Sequence, residues 1–169
     1  MARSQLGDAF DHHVWATIEL IDVCLALDPE QLQTTVPGTY GSILDTFRHI
    51  VGADASYLFV TSGERTPAID EDTMDLGQLR AVMERHAAEW AQVVAEEPDP
   101  TSVLVRRRPD GSETHAPIGI RLAQVVHHGT DHRSQICTAL TTLGVEPPAI
   151  DVWDFGLIDG RVVEISPTA

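Results

Sequence analysis

Lysine is absent: all 11 basic residues of the 169 are arginines. That removes Schiff-base catalysis and the lysine of a phosphate-cradling loop in one step. Cysteine is scarce as well, at Cys24 and Cys137 only. Two cysteines cannot form a disulfide framework, and these lack zinc-ribbon spacing, so both read as small core hydrophobes on helices. No run of 18 apolar residues occurs, so no helical membrane span is expected. The opening Met1–Asp8 lacks the apolar core of a signal peptide, which makes the cytoplasm the expected location. Positive charge is also short. The 26 acidic residues leave a net charge of −15, and nucleic acid and anionic membrane surfaces both reward the opposite sign. A small molecule is the expected partner.

What is present is a chain long enough for one well-buried core, so residues 1–169 are read as a single domain. Apolar residues recur at helical spacing over about Gln5–Leu27, with Phe10, His13, Val14, Thr17, Ile21 and Cys24 on one face and His12 and Trp15 turned away. Asp28-Pro29 ends that helix. Ser42, followed three residues later by Asp45, signals a second helix to about Thr61, whose apolar arc contains the misplaced charge of Asp54. On helical geometry alone, His49 falls outside that arc and reads as exposed. A third helix is expected over about Leu76–Glu96, capped at Asp75, with His86 and Trp90 inward; His86 reads as a hydrogen-bonded core or edge histidine rather than a ligand.

Two short strands flank Pro109-Asp110-Gly111 and predict a β-hairpin. Its run Arg106–Arg108 reads as solvated, with a patch for carboxylates or thiol conjugates as the alternative. Pro117 opens a fourth helix that Gly144 stops, and Leu157–Ile165 reads as a second small hairpin around Asp159-Gly160. The sum is an all-α fold, a four-helix bundle with a small β-hairpin before the last long helix.

On the fourth helix Leu122, Val125, Gly129, Ile136 and Leu140 define the apolar arc. His132 borders it, His128 lies one step further round with Gln135 beside them, and His127 points to the polar side. Histidines four apart stack on one helix face and can grip one ion, but two ligands hold a metal poorly and a third is needed. Arg133 falls inside the arc, as Asp54 does on the second helix, and a direct Asp54–Arg133 ion pair is expected between them.

The segment Val125-Val126-His127-His128-x3-His132-Arg133-Ser134-Gln135-Ile136 resembles the fourth-helix signature of the DinB/YfiT-like superfamily, a histidine pair followed by Arg-Gly-Gln-Ile. Ser42–Asp54, with His49 followed five residues later by Asp54, resembles its second-helix segment, and Phe10-Asp11 with Trp15-Ala16 its first. Ser134 departs from the commoner glycine and is small enough to leave the site unaltered.

The resemblance implies a four-helix bundle in which three histidines hold a divalent metal, here His49, His128 and His132. It takes His49 out of the exposed class, since a ligand at a cleft need not face the core. Three imidazoles leave positions open for water or substrate and suit zinc, nickel, iron or cobalt. Each ligand ring needs an acceptor for the N–H it keeps, with Asp45 and Asp131 as candidates beside the reading of both as solvated acids. Relatives of this kind use mycothiol, bacillithiol or glutathione in S-transfer or isomerisation. The implied function is therefore a metal-dependent small-molecule enzyme with a low-molecular-weight thiol as co-substrate. A metal-hydroxide hydrolase and a non-catalytic, metal-binding stress- or damage-inducible protein are the competing readings. No catalytic residue is assigned beyond the ligands; His12, His13 and Gln135 are candidates for the cleft wall. The arginine-rich, lysine-free composition fits a GC-rich bacterial genome, and the resemblance makes a homodimer an expectation.

Overall fold

The computed structural model describes residues 4–63, 65–67 and 69–165. Four long helices, α1 (Gln5–Cys24), α2 (Ile43–Thr61), α3 (Leu76–Ala95) and α4 (Ile118–Thr142), form a bundle. A hairpin of β1 (Val103–Arg107) and β2 (Glu113–Pro117) precedes α4, and a short α5 (Val152–Ile158) follows it.

The helix starts follow from local chemistry. Ser4, Ser42 and Asp75 each accept a backbone N–H of the first turn, from Gly7, Asp45 and Gln78, satisfying donors that have no partner within the helix. α1 stops at Cys24 rather than Leu27 because its last residues tighten into three-residue turns, with Ala26 N–H on Val23 O and Leu27 N–H on Cys24 O. Gly144 ends α4 at φ 75°, where the Val145 N–H reaches Leu140 O and the Gly144 N–H reaches Thr141 O.

Packing places α1 against α3 and α4, and α2 against the same two, so the helices ring the core in the order α1, α3, α2, α4. Phe10, Leu20, Ile21, Phe47, Ile50, Leu58, Met83, Trp90, Ile136 and Leu140 fill the centre. Each comes from the stripe of its helix that the apolar spacing marks. The strands pair antiparallel, with Leu104 opposite Ala116 and Arg106 opposite Thr114, as the turn residues predict. Among the described residues no helix is long and apolar enough to cross a membrane.

The expected hairpin at Leu157–Ile165 is wrong. Asp151 accepts the Asp154 N–H while the Asp154 side chain accepts the Asp151 N–H, a reciprocal cap that opens α5. Gly160, at φ 70°, then closes it, with Arg161 N–H on Gly156 O and Gly160 N–H on Leu157 O. Asp-Gly supplies a left-handed glycine to a hairpin turn and to a helix end alike, and the cap upstream decides between them. α5 lies on α1, and this changes the environment of His12. Its ring is buried against Phe155 and Trp15, and its Nε2 lies 2.9 Å from Ile150 O, so the expectation that His12 faces outward also fails.

Candidate metal centre

The packing of α2 against α4 brings His49, His128 and His132 together across their contact. One ring nitrogen from each can be chosen so that all three lie within 4.8 Å of one another. His128 Nε2 and His49 Nε2 are 2.9 Å apart, and the rings of His128 and His132 meet edge to face at 4.4 Å. Nitrogens converging this closely suit a shared ion, because imidazole–metal distances are about 2.0–2.1 Å. Their state suits it as well. Burial, then His132, lowers the pKa of His49, and burial, then His132 and His49, pushes His128 down to about 4. Imidazoles held neutral have lone pairs to offer.

His132 is oriented through its other nitrogen. Nδ1 lies 3.0 Å from Gln135 Oε1, an acceptor, so Nδ1 carries the proton and Nε2 is left for a ligand. The same oxygen accepts the Tyr40 N–H at 2.9 Å, which ties the loop before α2 to α4. Tyr40 then stacks on His49 at 3.9 Å and 11° and meets His132 edge-on. Neither carboxylate weighed as an acceptor is used. Asp45 takes the Ser42 hydroxyl at 2.7 Å and faces Arg48, and Asp131 is exposed on α4, so the amide of Gln135 has the role proposed for a carboxylate. Tyr40, in a glycine-flanked loop, carried no periodic signal.

All three histidines are half-buried. His49 opens, with Tyr40, Arg48, Glu71 and Asp72, onto a cleft of about 360 Å³. Its walls are polar and charged, as befits a place where a solute exchanges with water. His127 points to solvent, as expected from its position on α4.

Directly beneath lies a buried polar network. Asp54 and Arg133 are both buried, but no ion pair joins them; the His13 imidazole stands between. Arg133 Nη1 donates to His13 Nδ1 at 3.0 Å, and also to Thr17 Oγ1 at 3.2 Å. A guanidinium can only donate, so Nδ1 accepts, and Nε2 carries the hydrogen given to Asp54 Oδ1 at 3.1 Å. Trp90 Nε1 donates to Asp54 Oδ2 at 3.1 Å, while His86 Nδ1 stays 3.8 Å away with no hydrogen-bond partner. His86 is therefore a core histidine, as expected, without the hydrogen bond. Burial raises the Asp54 pKa, but the His13 and His86 imidazoles outweigh it and hold the carboxyl below the ordinary range. One residue from each long helix, His13, Asp54, Trp90 and Arg133, thus joins one network under the histidine cluster.

The model of the DinB family matches residues 1–158, which covers all four long helices and both segments that supply the histidines. No curated protein matches the chain.

Proposed function

The chain belongs to the DinB family, and on that footing we propose that it is a divalent-metal-dependent enzyme of small-molecule metabolism, using a low-molecular-weight thiol for S-transfer or isomerisation. The observation that carries the reading is the convergence of His49, His128 and His132, with His49 lining a polar cleft. A structural site closes on its ion with four protein ligands, whereas three histidines beside a cleft leave room for a substrate atom. The bound ion would supply Lewis acidity, lowering the pKa of a thiol brought to it. Gln135 holds the ring of His132, and Tyr40 holds that of His49, so the ligands are set before a substrate arrives. Arg48 and Glu71 border the same cleft and would orient the polar parts of the co-substrate.

The test is elemental analysis of the purified chain and of His49→Ala, His128→Ala and His132→Ala, followed by turnover of a chlorodinitrobenzene electrophile with mycothiol, bacillithiol or glutathione. About one ion per chain, lost in each variant together with thiol-dependent turnover, is the expected result. Retained metal without turnover on any thiol would identify a non-catalytic binding protein. Turnover of ester substrates independent of thiol would identify a hydrolase.

A further inference from the structure

A cleft larger than the one at the histidines shares Glu71 with it. It has a volume of about 720 Å³ and runs between α2 and the hairpin, within the range of about 300–1,000 Å³ usual for small-molecule sites. Its long walls are apolar, from Ala55, Phe59, Val60, Ile69 and Leu104. Charged residues line it as well. Glu71 lies over Gly52, so close that a Cβ there would collide with the carboxylate; Glu71 also borders the cleft of His49. Arg106 and Arg107 of β1, both exposed, complete the charged lining.

The charge on β1 is unusual for so acidic a chain. Arg107 pairs with Glu113 at 2.8 Å, but among the described residues no carboxylate lies within ion-pair distance of the exposed Arg106. Alternation along β1 puts Arg106 on the face of Leu104, the residue that packs on the core. Beneath the hairpin and outside the cleft lining, Arg121 is buried with its Nη2 on Leu104 O and Thr114 O, its Nε unpartnered and, among the described residues, no carboxylate within ion-pair distance. Burial lowers the Arg121 pKa, Tyr57 opposes that, and Arg106 lowers it further. Ser56 also lines the cleft, and its hydroxyl has no hydrogen-bond partner. An unbalanced cation on an apolar trough that shares Glu71 with the histidine cleft defines an orientation for a ligand.

We propose that this trough binds the electrophilic substrate, an amphipathic carboxylic acid, with its carboxylate at Arg106, its apolar body along Phe59 and Leu104, and its far end passing Gly52 and Glu71 toward His49. This specifies the substrate class for the proposed function and rests on that reading only for what happens at the far end.

The experiment is titration calorimetry of the full chain with 4-phenylbutyrate and with the neutral 4-phenylbutanamide, at low salt. It is run on the wild type, Arg106→Gln, Arg108→Gln and His128→Ala, each before and after chelator treatment. Arg108 makes the same charge change on the same hairpin but does not line the trough. The acid is expected to bind about tenfold more tightly than the amide, and Arg106→Gln to lose about tenfold, as for a charge-assisted contact. Arg108→Gln should stay within about twofold, as a surface charge screened by solvent does. These results should survive chelation, since none of the trough's contacts is a metal ligand. Equal binding of acid and amide, equal loss in both arginine variants, or no binding to the wild type would overturn the assignment. So would binding that disappears on chelation and in His128→Ala, because the acid would then be sitting on an ion. Loss of metal-dependent turnover with the titration unchanged would instead remove the thiol-transfer reading and leave the trough standing.

Discussion

Gly129 and His13 are in direct contact across α1 and α4. A Cβ at 129 would lie 2.5 Å from His13 Nδ1 and 2.9 Å from Arg133 Nη1, so a side chain there would push into the Arg133–His13–Asp54 chain. Glycine within a helix costs about 0.5–1 kcal/mol relative to alanine, and this position retains it for space rather than for backbone freedom. Gly129→Ala is therefore expected to destabilise by about 1–3 kcal/mol, against the gain that helix propensity alone predicts. Urea unfolding followed by circular dichroism measures it.

Removing the carboxylate that ends this chain has a larger effect. Asp54→Asn leaves the buried Arg133 guanidinium without its counter-charge, relayed or otherwise, at a cost of about 3–5 kcal/mol. Chemical denaturation should show this loss with little change in slope, because the surface exposed on unfolding stays the same.

The same residue sets a pH dependence. Its folded pKa is depressed, so its contribution is complete above the unfolded value of about 3.9 and is lost as pH falls from there toward the folded one. The wild-type urea midpoint should fall between about pH 6 and pH 3 by more than that of Asp54→Asn, which has no carboxylate at this position to titrate. Parallel declines would show that Asp54 is not responsible.

Gln135→Leu tests the orientation of the metal centre without touching a proposed ligand. It removes the acceptor shared by His132 Nδ1 and the Tyr40 N–H. Metal affinity, measured by competition with a chromophoric chelator, should fall by about tenfold or more while the helical content is kept.

At the other end of the molecule, Asp151→Ala removes half of the reciprocal cap of α5, worth about 1 kcal/mol. α5 rests mainly on α1, so amide exchange should quicken over residues 152–158 while the global unfolding midpoint barely moves. Matching losses in both would mean that α5 is part of the main cooperative unit.

How far the sequence carried the description depended on the kind of signal. The four long helices were legible because their caps and apolar stripes agree, as at Ser42 with Phe47 and Ile50. His128 and His132 were legible as a pair from their spacing, but His49 was not; its place in the cluster follows from a cleft, which periodicity does not encode. The misplaced charges Asp54 and Arg133 announced a buried polar contact correctly, yet not that His13 would stand between them. An intervening ring on a third helix leaves no trace in the pattern of the other two. His12 failed for a related reason, since its cover comes from Ile150 and Phe155, about 140 residues downstream.

His49 and His128 stand 79 positions apart in the chain. An ion shared between them would clip a ring of that length shut by coordination rather than by a covalent bond. Unlike a disulfide, such a clip opens when the chain unfolds, so its worth would follow mass action, about 2.7 kcal/mol at a hundredfold excess of ion over the dissociation constant. The protein's survival would thereby follow metal supply: starved of the ion, the bundle would lose a tether as well as a reagent, and more unfolded copies would accumulate under heat.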